Sequence, residues 1–126
     1  MRLFDSHIHL DDPRFDEDRP ALLMQARDAG VVAMIVPGVS QSTWVRTEAV
    51  CGEVDGAFPA FGLHPYFLGQ HQDSHIEALA QRLDQGDVIA VGECGLDFAI
   101  DSLDRDEQTA VFDAQLALAA ERDLPA

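Results

Sequence analysis

The stretch Val31–Pro37, which reads VVAMIVP, decides the fold because it is apolar at every position. Strands that are buried on both faces have this pattern, and such strands are typical of parallel sheets. The run VIAVG at Val88–Gly92 has the same character. Two further runs, Arg2–His9 and Phe58–Leu63, complete four predicted strands. Their starts lie about 29 residues apart, the size of one β-loop-α unit.

Helices are predicted between and after these strands. Pro20–Ala29 has proline in its first turn and is followed by Gly30, an order that marks the two ends of a helix. Three more helices are predicted at Ser42–Val54, Ser74–Gln85 and Leu103–Arg122. Alternation of strands and helices predicts an α/β fold with a parallel sheet and right-handed crossovers. Both an open doubly wound sheet and a section of a (β/α)8 barrel have this alternation.

Polar residues at the strand ends distinguish these two architectures. His7 and His9 end the first predicted strand, His64 follows the third and Glu93 follows the fourth. In a (β/α)8 barrel the active-site residues collect at the carboxyl ends of the strands. An open nucleotide-binding sheet should have a glycine-rich loop after strand one, where this chain has Leu10–Pro13 instead. The pattern favours four β/α units that form a section of a (β/α)8 TIM barrel.

The histidine pair His7 and His9 predicts a metal site. Residues two apart on a strand point to the same face, so both imidazoles can converge on one cation. An H-x-H pair alone is a weak signal, and chance surface pairs are more common. Glu93 strengthens it, because a carboxylate at a strand end can bind one metal ion or bridge two. We therefore predict His7, His9 and Glu93 as metal ligands.

Other polar and aromatic residues near these strand ends allow more than one interpretation. His64, held extended by the following proline, could orient a phosphate, support the metal ligands or be a hydrogen-bonded core histidine. Asp5 could support a ligand imidazole or cap a turn. The role of Asp97 stays open. Tyr66 and Phe67 could stack on a nucleic-acid base.

Four residues with reactive or aromatic side chains are assigned no role in the site. His71 and His75 lie in a polar stretch and are predicted to be on the surface. Trp44, on a predicted helix, is expected in the core. Cys94 is expected to pack away from the site, because neighbouring side chains of an extended backbone point in opposite directions.

Composition predicts one compact domain. The chain has 126 residues, 47% of them hydrophobic, and a net charge of -15 without any lysine. So acidic a chain is unsuited to a broad phosphate-binding surface, although bound metal ions can supply local positive charge. No apolar run is long enough to span a membrane, and the two cysteines are far apart. These features lead us to expect a cytoplasmic protein.

Three linked motifs resemble the TatD family of metal-dependent deoxyribonucleases, which have amidohydrolase-like barrels. They are DSHIHL at 5–10, FGLHP at 61–65 and GECGLD at 92–97. The resemblance implies that His7, His9 and Glu93 bind metal, and that His64 is a catalytic histidine on the substrate side, acting with Glu93. It also implies hydrolysis of DNA phosphodiester bonds with Mg²⁺, Mn²⁺ or Zn²⁺, up to two ions in the complete site.

The length departs from the family pattern, because a (β/α)8 barrel needs about 250 residues. The resemblance implies that the missing half carries two more histidine ligands and an aspartate. We therefore expect residues 1–126 to form one partial barrel, the amino-terminal half of a TIM barrel truncated before strand five, with an incomplete site and little activity. Its open edges predict a homo-oligomer. Another amidohydrolase-type metal hydrolase, or a non-catalytic oligomerising remnant, are the alternatives.

Overall fold

The computed structural model describes all residues, 1–126, and contains three strands and four long helices. The predicted helices agree with the structure to within two residues at each end. In chain order the elements are β1 (Leu3–Asp5), α1 (Arg19–Asp28), β2 (Val31–Gly38), α2 (Gln41–Glu53), β3 (Ala57–Phe61), α3 (Asp73–Leu83) and α4 (Arg105–Glu121), with short 3-10 turns at Pro13–Phe15 and Pro65–Gln70.

The sheet is parallel, as predicted, in the order β1-β2-β3. The prediction of four strands is wrong, because the run Val88–Gly92 forms only a single bridge, from Val91 to Phe61. This run does follow β3, with the Ile89 N–H donating to the Pro59 carbonyl at 3.2 Å. The Val91 N–H, however, donates to the Pro125 carbonyl, so the ladder with β3 is not continuous. The first strand is also shorter than predicted and ends at Asp5.

Two apolar clusters fix the helices on the sheet. One joins Met34 and Val36 of β2 to Val50 and Cys51 of α2. The other surrounds Phe61 and includes Trp44, which is 5% exposed, as expected of a core residue. Burial, aided by the nearby Asp11 carboxylate, raises the pKa of the Cys51 thiol to about 12. These clusters hold the carboxyl ends of the three strands side by side.

The opposite face of the sheet is apolar and partly uncovered. Phe4 pairs with Ala33, and Phe58 pairs with Ile35, so the two phenylalanines lie on one face. Phe4 is 56% exposed and Phe58 is 41% exposed. Large aromatic side chains with this degree of exposure are typical of surfaces that contact another protein surface.

None of the helices is both long and apolar enough to cross a bilayer.

Candidate metal centre

The segment after β1 presents two imidazoles on one side. The Asp5 carboxylate accepts the His7 N–H at 3.1 Å, so Asp5 caps the turn that ends the strand. The Ile8 N–H donates to the Ile35 carbonyl at 3.0 Å, which keeps the segment beside β2. Ile8 packs on the apolar cluster, and the rings of His7 and His9 are left on the opposite, solvent-facing side.

A close backbone approach brings Glu93 to the same edge. The Gly92 N–H donates to the Phe61 carbonyl at 2.9 Å, and the Glu93 N–H donates to the Gly38 carbonyl at 3.3 Å. A Cβ atom at Gly62 would lie 2.7 Å from the Glu93 carbonyl oxygen and 2.8 Å from Gly92. Glycine at 62 is therefore what lets this backbone reach the carboxyl end of β3.

The atoms of the histidine pair and the carboxylate converge tightly. Glu93 Oε2 lies 3.2 Å from the Nε2 atoms of both His7 and His9, and these two nitrogens lie 3.4 Å apart. Glu93 Oε2 is buried but has no hydrogen-bond partner. Ligand atoms about 2.1 Å from a tetrahedral zinc ion lie about 3.4 Å from one another. The three atoms therefore have a spacing that would suit metal ligands, and metal binding by these residues stays a prediction.

The donor set of this trio suits a catalytic metal. Two imidazoles and one carboxylate form a recognised set for catalytic zinc, in which the remaining position is left to water or substrate. Mixed nitrogen and oxygen donors also suit Mn²⁺, whereas Mg²⁺ prefers oxygen alone. The His7 and His9 side chains are half-exposed, so the trio is open to solvent.

His64 lies on the other side of the Glu93 carboxylate. Its Nδ1 atom accepts the Tyr66 N–H at 3.1 Å, so in the neutral ring the proton is on Nε2. That Nε2 atom is 3.1 Å from Glu93 Oε1. Each oxygen of the carboxylate thus faces different imidazoles, and all four residues singled out from the sequence meet in one place.

A cavity of about 510 Å³ opens beside these residues. His9, His64 and Glu93 line one part of it. Arg46 of α2 and the aromatic pair Tyr66 and Phe67 line others, and the remaining lining residues are Asp11, Asp12, Pro13, Pro37, Val39 and Thr43. The cavity therefore joins the candidate metal ligands to one cation and to two aromatic rings.

His71 is not the surface residue that was predicted. Its Nε2 atom lies 2.9 Å from the His64 carbonyl oxygen, and its Nδ1 atom is buried without a partner. Burial lowers the pKa of His71, which favours the neutral ring. The neutral ring donates from Nε2 and steadies the backbone of His64. His75 is also partly buried, and its Nδ1 accepts the Gln72 N–H at the start of α3.

Asp97 and Cys94 lie outside the trio. The Asp97 carboxylate accepts the Ala99 N–H at 3.1 Å and so caps a local turn. The Cys94 thiol lies 4.0 Å from the Val91 carbonyl oxygen, and burial, followed by the neighbouring Glu93 charge, raises its pKa. A raised pKa keeps the thiol protonated, which agrees with the expected packing role.

Two buried glutamines of α4 hold the loops that carry the site, and sequence reasoning missed both. Gln115 accepts the Leu63 N–H at 2.7 Å and donates to the Leu63 carbonyl at 3.1 Å. Gln108 makes the same pair of bonds with the backbone of Asp97, at 2.9 and 3.1 Å. The available signal was two glutamines seven residues apart on a helix that is otherwise apolar on that side.

Comparison with known proteins places this arrangement in a family. Residues 4–126 match the family model described as TatD related DNase. The uncharacterized metal-dependent hydrolase YjjV of Escherichia coli is 39% identical over 126 residues, covering 98% of this chain and 49% of that protein. The 3'-5' ssDNA/RNA exonuclease TatD of Pantoea ananatis is 35% identical over 127 residues, covering 98% and 48%.

Solved structures agree with the sequence matches. The crystal structure of E. coli YjjV superposes with a TM-score of 0.92, covering 98% of this chain and 49% of that one. A TatD-family hydrolase from Entamoeba histolytica superposes with a TM-score of 0.83 at 17% identity, which supports the fold alone. The chain spans about half the length of the curated relatives it matches. It belongs to the family of TatD-related DNases, and its three-stranded α/β structure corresponds to half of the fold of those relatives.

Proposed function

We propose that this chain contributes the His7, His9 and Glu93 ligands to a divalent-metal-dependent nuclease that hydrolyses phosphodiester bonds in DNA. The observation that carries the proposal is the buried, unpartnered Oε2 atom of Glu93, 3.2 Å from two imidazole nitrogens. Membership of the family of TatD-related DNases supports hydrolysis of phosphodiester bonds. The relative from P. ananatis is named as a 3'-5' exonuclease of single-stranded DNA and RNA.

A bound divalent metal would polarise a phosphoryl oxygen and supply a nucleophilic water. The residues of this chain would position the cation and the substrate. Glu93 Oε2 and the Nε2 atoms of His7 and His9 would hold the cation. His64 lines the cavity where substrate would lie, and its neutral ring carries a proton at Nε2, 3.1 Å from Glu93 Oε1. In this proposal Glu93 and His64 are the catalytic residues on this chain.

We expect little or no nuclease activity from residues 1–126 alone, because the resemblance implies that further ligands and a base lie in the other half of the barrel. The test is release of nucleotides from a single-stranded oligodeoxynucleotide with Mn²⁺, beside the P. ananatis exonuclease as positive control. Any residual turnover should disappear in Glu93→Gln. Turnover by a monomer at the rate of the control would contradict the incomplete site.

The alternative hydrolase is tested in the same assay with small esters and amides at equal Mn²⁺. If the nuclease proposal is correct, the oligonucleotide should be the substrate that shows any metal-dependent turnover. Turnover of an ester or amide without turnover of DNA would favour the other amidohydrolase-type reaction.

The uncovered face of the sheet supports a second role, self-association. Phe4 and Phe58 lie on one exposed face, and the edge of β1 is unpaired. We expect light scattering after size-exclusion chromatography to give the mass of two chains at high concentration. Phe4→Ser with Phe58→Ser should shift the mass to one chain, while Val45→Ser, at an exposed position of α2, should not. A wild-type monomer at every concentration would contradict this expectation.

A further inference from the structure

Arg46 is the one lysine or arginine side chain in the lining of the cavity beside Glu93. Its Nε atom donates to the Asp11 carbonyl at 2.5 Å, and its Nη2 atom pairs with the Asp16 carboxylate. Two of its donor nitrogens are therefore fixed by protein groups. The side chain is 39% exposed, so the guanidinium is held in place and also accessible.

The Arg46 guanidinium shares its carboxylate partner with a second arginine. Asp16 is shared with Arg19, whose Nη2 atom lies 2.5 Å from the same carboxylate oxygen. The Asp16 carboxylate is therefore divided between two guanidinium groups, and the nearby Asp11 carboxylate brings the summed charge of these four side chains to zero. A fixed, accessible guanidinium still binds phosphate oxygens well, because its planar donors match their geometry.

The acidic residues that line the cavity have other partners. The buried Asp11 carboxylate accepts the Thr47 hydroxyl at 2.5 Å. The Asp12 carboxylate is paired with Arg14 at 2.7 Å, a contact that lowers the pKa of Asp12 to about 2. Glu93 faces the three histidines. Arg46 is therefore the cationic side chain of the lining with which an anion in the cavity can pair directly.

An aromatic surface lies in the same cavity. Tyr66 is 64% exposed, and its ring meets the Phe67 ring edge to face, with centroids 5.1 Å apart. Phe67 in turn meets the ring of His64 at 6.1 Å. Exposed aromatic rings beside a cation are the elements with which proteins bind single-stranded nucleic acid, where bases stack and phosphates pair with arginine.

We propose that this cavity is a nucleotide subsite, in which Arg46 binds a phosphate and Tyr66 and Phe67 stack on the base. The inference rests on the proposed nuclease function, since it assigns the substrate contacts next to His64 and Glu93. In this subsite Arg46 selects for a phosphate group other than the one that would lie at the metal ligands.

The test is calorimetric titration of thymidine 5'-monophosphate into wild type and Arg46→Gln, with and without Mn²⁺. A charge-assisted hydrogen bond accounts for about 10- to 100-fold in affinity, and we expect Arg46→Gln to lose that much. Arg2→Gln removes the same charge from an exposed residue at the amino end of β1 and should stay within about twofold of wild type. Thymidine, which lacks the phosphate, should bind wild type and Arg46→Gln equally. Tyr66→Ala should weaken the binding of thymidine.

Two outcomes would overturn this subsite. They are equal affinities of wild type and Arg46→Gln for thymidine 5'-monophosphate, or no binding of that nucleotide by wild type in either buffer. The proposed function fails on a separate reading, the absence of saturable Mn²⁺ binding by wild type. The titration without Mn²⁺ keeps the two results distinguishable, and circular dichroism melting confirms that each variant is folded.

Discussion

Replacing His7 and His9 together by alanine is expected to lower the affinity for Zn²⁺ or Mn²⁺ by at least about 100-fold. Structural zinc sites bind with about 10–16 kcal/mol, so each of four ligands contributes roughly 3 kcal/mol, or about 100-fold. The double variant removes two of the three convergent atoms and leaves Glu93 Oε2 alone. Both imidazoles are half-exposed, so the fold should tolerate the change. Calorimetric titration of each metal measures the affinity.

The matched control for the pair is His75→Ala, because His75 caps α3 and lies outside the trio. It should bind metal with wild-type affinity. Affinity should also fall as the pH is lowered, since a protonated imidazole cannot bind a cation. Saturable binding that is unchanged in the double variant would refute this metal centre, and no binding by wild type would favour the non-catalytic alternative.

Gln115→Leu is expected to lower the free energy of unfolding by about 2–5 kcal/mol, since each of two buried backbone groups loses its partner. The groups are the N–H and the carbonyl of Leu63, a residue that is 1% exposed. Leucine cannot donate or accept at this position, and no water reaches a side chain that is fully buried. Urea denaturation followed by circular dichroism gives the change directly.

Gln81→Leu is the control for this substitution. Gln81 lies exposed on α3 and makes one long contact, 3.4 Å, with Glu77. Its loss should change the free energy of unfolding by less than about 0.5 kcal/mol. If Gln115→Leu changed the free energy of unfolding as little as Gln81→Leu, the two hydrogen bonds to Leu63 would not contribute to stability. A folded Gln115→Leu should still bind metal, because Gln115 touches none of His7, His9 or Glu93.

The helices were predictable because their signals are local. Proline and glycine mark the ends of α1, and the apolar side of α4 repeats at helical spacing, so both boundaries could be predicted within two residues. The fourth strand was not predictable, because a continuous ladder depends on partners distant in sequence. The Ile89 and Gly92 N–H groups donate to β3, at the Pro59 and Phe61 carbonyls, whereas the Val91 N–H donates to the Pro125 carbonyl. No pattern within Val88–Gly92 reveals this division.

The same distinction applies to the candidate site. His7, His9, His64 and Glu93 could be selected from the sequence, because the strand ends of a parallel sheet meet at one edge. The supporting residues could not be selected in this way. Gln115 acts on Leu63 across 52 positions, and Arg46 reaches the Asp11 carbonyl across 35. Neither position has a motif of its own, and their roles follow from contacts between elements.

The sequence by itself determined the class of fold, the four helices and the identity of the metal-ligand candidates, because apolar patterning and strand-end residues are written locally. Only the tertiary structure decided that Glu93 Oε2 lies buried without a partner between His7 and His9. It also decided that Asp5 caps a turn and that Arg46 lines the cavity. These facts depend on distances between segments far apart in the chain, and packing, rather than local preference, sets those distances.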